Sequence, residues 1–148
     1  MARQLATFYL NGLHCGVDVA NVQEVIRYQE MTRVPLAPTV VEGLINLRGQ
    51  IVCALDLRRR LGLDDRESGR LPMNVVLKTP DGPVSLLVDE IGDVVDVDQD
   101  RFEPVPETVR GAAAEVMTGV YKQDGRLLLV LDVERALQIE ATGAVKAA

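Results

Sequence analysis

Gly43-Leu-Ile-Asn-Leu-Arg-Gly-Gln-Ile-Val-Cys-Ala-Leu-Asp-Leu-Arg-Arg-Arg-Leu-Gly-Leu63 decides the fold, because its second half recurs seventy-six positions later as Gly125 to Ile139. Sliding one segment over the other aligns Gly49 with Gly125, Leu55 with Leu131, Asp56 with Asp132, Arg59 with Arg135 and Leu61 with Leu137. Each copy reads as strand, acidic cap, short helix. The apolar runs Ile51 to Leu55 and Leu127 to Leu131 have the length of a strand buried on both faces. Asp56 and Asp132 then suit the free backbone N–H groups and positive end of a following helix, expected over Leu57 to Leu61 and Val133 to Leu137.

Working outward, the duplication extends to Val22-Gln-Glu-Val-Ile26, which lies opposite Ile91-Gly-Asp-Val-Val95. Turn signals separate the remaining apolar runs: Asn11-Gly12 between Leu5–Leu10 and His14–Ala20, Pro80-Asp81-Gly82 between Met73–Lys78 and Val84–Val88, and Asp124-Gly125 between Val116–Tyr121 and Arg126–Leu131. Met31 to Val34 is expected as a further short strand, and Ile91 to Val97 as a half-exposed one. Residues 64–71 are polar and without period, and they mark the boundary between the halves. Many short strands and one duplication predict a mainly β chain of two small barrels side by side over 4–139, with 140–148 as a frayed tail. The groove where the halves meet is the natural partner site.

The chain has 148 residues, enough to bury roughly 70% of its unfolded surface without a staple. Its two cysteines, Cys15 and Cys53, each lie in an apolar strand and read as small buried hydrophobes of a reducing compartment. The sequence enters a strand pattern within a few residues, so no signal peptide is expected, and no run approaches the roughly 20 apolar residues of a membrane span. A cytoplasmic protein is expected. A net charge of −6 and the absence of tryptophan argue against nucleic acid as a partner.

Enzyme signatures are missing. His14 is the only histidine, and its neighbour Cys15 should point to the opposite face of the strand, which spoils a nucleophile pair. No spacing suits zinc, and no cofactor is expected. Asp96, Asp98, Asp100 and Glu107 fit part of a calcium loop, but Arg101 stands where the sharp turn needs glycine, and Pro104 and Pro106 oppose an exiting helix. Alternating acids on a wet strand face are the plainer reading. Arg58-Arg59-Arg60 reads as a solvated helix with local charge pairs. Arg48, at a turn tip between two apolar strands, could cross the junction of the halves to a carboxylate such as Glu24, as a clamp or as a partner contact.

Val22-Gln-Glu-Val-Ile26, Arg33-Val-Pro35, Gly43-Leu-Ile-Asn-Leu-Arg-Gly49 and Leu55-Asp-Leu-Arg58, in that order, resemble the CheW coupling proteins of bacterial chemotaxis, over about residues 4–139. The resemblance implies two SH3-like five-stranded barrels with short helices. It implies a non-enzymatic adaptor that joins the cytoplasmic tip of chemoreceptors to the histidine kinase CheA in membrane-associated arrays. By motif match, Val22, Glu24, Gly43 and Arg48 take receptor-coupling positions, and Ile91 and Val94 fall on a matching second-half strand lining the receptor groove. Cys53, Cys15 and Ser85 depart from the pattern, where proline, an aromatic and glycine are common. The competing expectation is a small-molecule or ion sensor using the acidic 96–107 segment or the inter-barrel groove.

Overall fold

The computed structural model describes residues 2–123 and 125–138. The expected tail at 140–148 and Asp124 of the last turn lie outside them. The elements are β1 (Ala2–Leu10), β2 (Leu13–Asp18), β3 (Val22–Ile26), β4 (Val41–Leu47), β5 (Gln50–Asp56), α1 (Leu57–Arg60), β6 (Met73–Leu77), β7 (Val84–Val88), β8 (Glu90–Asp98), β9 (Phe102–Glu103), α2 (Ala112–Glu115), β10 (Met117–Gln123), β11 (Arg126–Leu131) and α3 (Val133–Ala136). Single 3-10 turns follow β2 and β8.

Two sheets result, and their composition cuts across the sequence halves. One has the order β3-β6-β7-β5-β4 and the other β8-β1-β2-β11-β10-β9. Each half therefore lends its first hairpin to the other half's sheet, where the lent strand runs parallel to a long apolar strand: β7 beside β5, β2 beside β11. The first sheet has the expected five strands, whereas the second gains a sixth, the two-residue β9, which neither length nor alternation announces. The strand expected over Met31 to Val34 is reduced to one bridge between Thr32 and Leu44. The chain leaves the ladder there because it turns over Val34 to Ala37, where Ala37 N donates to Val34 O.

The burial pattern explains the duplicated apolar runs. Alternate residues of the central strands face opposite ways. Leu128 and Val130 enter the interior of the six-stranded sheet with Leu5, Val97 and Tyr121, while Leu129 and Leu131 enter a core shared between the sheets. Val76 joins Ile45, Leu47 and Val52 inside the five-stranded sheet, and its neighbours Val75 and Leu77 turn to the shared core. There are thus two barrel interiors and one larger interface between them.

Both expected caps form. The Asp56 side chain accepts from Arg58 N and that of Asp132 from Arg135 N, at 3.1 Å each. The arginine run is not solvated as expected: Arg58 and Arg60 are 6% and 3% exposed. Arg60 donates to Ala136 O and Arg135 O at the end of α3, tying the two duplicated helices together. Arg58 donates through Nε (2.9 Å) and Nη2 (2.5 Å) to both oxygens of buried Asp89. The sequence reading paired this run with nearby acids, and only Arg59 behaves so, meeting Asp56, Asp65 and Glu42.

Candidate functional site

Arg48 and Gly49 form the two-residue turn between β4 and β5, both in the left-handed region (φ +54° and +85°). Glycine adopts this freely and arginine at some cost, so the backbone holds a long cation at a place better suited to asparagine. Asn46 Oδ1 steadies the turn by accepting from Gly49 N at 2.9 Å. The Arg48 guanidinium then makes two parallel bonds to Glu24, each 2.6 Å. Those hydrogen bonds hold the Glu24 carboxyl below its ordinary range and raise Arg48. Glu24 lies on β3 and the turn at the end of β4, the two edges of the five-stranded sheet. The pair closes one barrel edge to edge; it does not cross the junction of the halves.

Gly43 is buried on β4 beside a bulge, where a Cβ would stand 2.8 Å from Thr32 O and 3.0 Å from Met31 Cβ. Its position is fixed by the close approach of the edge segment rather than by an open surface. Val22 and Ile91, equivalent by the duplication, both pack partly buried on the rim of the shared core. Val94 is 56% exposed on β8. The duplication also pairs it with Val25, another exposed apolar residue, on β3. Val25 was read as part of an apolar edge but not as a site residue, although its alignment with Val94 points to it. The structure therefore groups Val22, Ile91, Val94 and Val25 on the two equivalent edge strands, with Glu24 and Arg48 as the clamp of one barrel and Gly43 beneath its other edge.

Cys15 faces the shared core, and burial, with the nearby charge of Asp89, pushes its thiol up to about 12. His14 instead stacks on Tyr9, ring centroids 4.9 Å apart. The two side chains diverge as the strand alternation requires. Burial first, and the charge of Arg126 second, depress the His14 pKa below 6.5, and its buried Nδ1 has no hydrogen-bond partner among the described residues. An unfolded chain takes up that proton more readily than the folded one, so stability is complete above about pH 6.5 and declines as pH falls below it. Melting curves between pH 7.5 and 5 should show this decline, and His14→Gln should flatten it.

In the acidic segment, Asp98 accepts from Asp100 N at 2.9 Å, capping a 3-10 turn. Among the described residues no three acidic, histidine or cysteine side chains converge as a metal site.

Two small barrels fused through a shared core, with exposed valines on two equivalent edge strands, have the architecture of a binding scaffold. The comparisons agree. The family model described as CheW-like domain matches residues 4–141. The chain is 33% identical to the chemotaxis protein CheW of Treponema pallidum, over 89% of this chain and 80% of that one. It is 31% identical to the chemotaxis protein CheW of Bacillus subtilis, over 94% and 89% of the two chains. A solved structure, the scaffolding protein TtCheW from Thermoanaerobacter tengcongensis, superposes with a TM-score of 0.84 at 25% identity, covering 99% of this chain and 98% of that one. The chain belongs to the CheW-like family of chemotaxis scaffold proteins, and it is not an enzyme. Among the described residues, no helix is long and apolar enough to cross a membrane.

Proposed function

We propose that this protein is a cytoplasmic adaptor that couples the cytoplasmic domains of chemoreceptors to the histidine kinase CheA, recruited to membrane-associated arrays through those receptors. The observation that carries the reading is the pair of equivalent edge strands, β3 and β8, each with one apolar residue on the rim of the shared core and one turned to solvent. An amphipathic receptor helix laid along β8 would cover Val94 and the outer side of Ile91, in the manner of a helix in a groove. The Arg48–Glu24 clamp holds β3 against the β4–β5 turn and so fixes the other side of the site. Gly43 acts from beneath, by letting the edge segment approach.

Co-sedimentation with receptor cytoplasmic fragments and CheA tests this. Wild type should enter a ternary complex. Val94→Asp should lose receptor binding by roughly 30-fold, the loss of a hot spot of about 2 kcal/mol, while keeping its melting temperature. Ile91→Asp is the poorer probe because Ile91 also packs on the core. Arg48→Ala should weaken the complex as well. Full receptor binding by Val94→Asp would remove β8 from the site.

A further inference from the structure

We propose that the turn Asn11-Gly12 is a self-modifying site, at which the folded protein converts its own asparagine to isoaspartate and thereby unfastens a hairpin from the buried Asp89. The turn joins β1 to β2, and both of its residues lie in the left-handed region (φ +51° and +78°). Both are exposed. Among the described residues, nothing bonds the Asn11 side-chain amide or the Gly12 backbone N–H, and a Cβ placed on Gly12 would meet nothing within 4 Å. Glycine has no side chain to shield its nitrogen, so the atom that must attack the amide is open to approach. The remaining asparagines supply the contrast. Asn21, Asn46 and Asn74 precede Val22, Leu47 and Val75, whose branched side chains crowd the corresponding nitrogen. Asn46 is also engaged with Gly49 N, and Asn74 is fully buried between Ser85 and Arg27 O.

The reaction needs only hydroxide and water. Hydroxide takes the Gly12 N–H proton, and the nitrogen attacks Cγ of Asn11. A bond from Gly12 N to Cγ forms, the bond from Cγ to the amide nitrogen breaks, and ammonia departs, leaving a cyclic imide. Water then opens the ring. Attack at Cγ gives ordinary aspartate, whereas attack at the main-chain carbonyl gives isoaspartate, with an extra carbon in the backbone. The position of the turn in the fold gives the second product its effect. Asn11 N donates to Asp89 Oδ2 at 2.7 Å and Asp89 N donates to Tyr9 O at 3.0 Å, so the turn and the start of β8 hold each other. Asp89 is also the anion that Arg58 and Arg66 share. A lengthened backbone cannot keep a two-residue turn with Leu10 opposite Leu13. Both products also set a new carboxylate beside Asp89 and Glu90, where like charges repel.

The test incubates the whole folded chain in mildly alkaline buffer, beside Asn11→Gly and beside wild type unfolded in urea, with peptide mapping by mass spectrometry and isoaspartate counted by enzymatic methylation. In the folded chain isoaspartate should build up at position 11 about tenfold faster than at any other asparagine, because only there does a glycine follow. Its formation should slow as the buffer is acidified, since the attacking nitrogen must lose a proton. Asn11→Gly keeps a turn that glycine adopts freely and the N–H that Asp89 accepts, so it should hold its melting temperature throughout the incubation. The isoaspartate fraction, separated by ion exchange, should melt below Asn11→Asp, which carries the charge without the added carbon, and its Asp89 amide should exchange faster than in fresh protein. Isoaspartate at position 11 in the urea-unfolded chain alone would overturn the inference, by showing that the turn protects its asparagine. An isoaspartate fraction that melts and exchanges like fresh protein would overturn it as well, by severing the modification from Asp89.

Discussion

Asp89→Asn is expected to cost about 3–5 kcal/mol of stability, because it leaves the buried Arg58 guanidinium without its paired anion and Arg66 with only Asp56. Asp89 sits between β7 and β8 and serves three neighbours: Arg58 through two bonds, Arg66 Nε at 2.9 Å, and the backbone N–H of Asn11 at 2.7 Å. The two arginines belong to α1 and to the segment between the sequence halves, so one carboxylate fixes a helix, a loop and a hairpin turn against the start of β8. The substitution is almost isosteric, which confines its effect to charge. For a chain of this size the loss corresponds to a fall in melting temperature of roughly 10 °C, readable by circular dichroism. Burial alone would raise the Asp89 pKa, but the hydrogen bonds from Arg58 and Asn11 and the charges of Arg58 and Arg66 outweigh it and hold it below 3.8. The contribution is therefore fully present above about pH 4 and is lost as pH falls through the lower, folded-state value. As pH falls below about 4, wild type should lose its advantage and its stability should converge on that of the Asn variant, which lacks this protonation step, and parallel acid titrations of the two would be the check.

The second large effect is expected at a pair of glycines that the duplication places together, Gly43 and Gly119. Each follows a bulge, at Glu42 in β4 and at Thr118 in β10, and each lies under an edge segment. A Cβ on Gly43 would meet Thr32 O at 2.8 Å, and one on Gly119 would meet Glu103 O at 2.5 Å and press on the Phe102 ring. Backbone carbonyls cannot swing aside as a side-chain tip can. Alanine at either position should cost about 1–3 kcal/mol, more at 119 than at 43, as overpacking does. Denaturant unfolding gives the magnitudes, and amide exchange should show faster opening at Thr32 in one variant and at Glu103 in the other. If Gly43→Ala also weakens receptor binding, the exchange data reveal the route: the edge segment moves first.

Sequence alone carried the strand-cap-helix repeat, the turn at Arg48-Gly49 and even the identity of the Arg48 partner, because those signals are local or doubled. It misassigned where the clamp acts, since a salt bridge between two edge strands looks the same on paper as one between two halves. Arg58 and Arg60 were misread for a related reason. Their acceptors lie 31 and 76 positions away, beyond any charge pattern a local window can see. Val25 was left out of the site because a single valine on an apolar edge is unremarkable until it and its counterpart, Val94, are both known to be exposed. Strand alternation predicted which residues are buried, but the same alternation serves either sheet, so it could not say which hairpin belongs to which.

That exchange of hairpins bears on the ancestry of the chain. Neither half contains a complete sheet: residues before the 64–71 segment supply β3, β4 and β5 to one and only β1 and β2 to the other. A primordial single-length polypeptide could complete its sheets by trading hairpins with a twin, and the present molecule has the form of such an obligate pair made continuous by gene fusion. The two copies now differ in their buried partners. Arg58 faces an acid where its counterpart is Glu134, and Arg60 caps a helix where its counterpart is Ala136, so the duplicated molecule has two distinguishable ends.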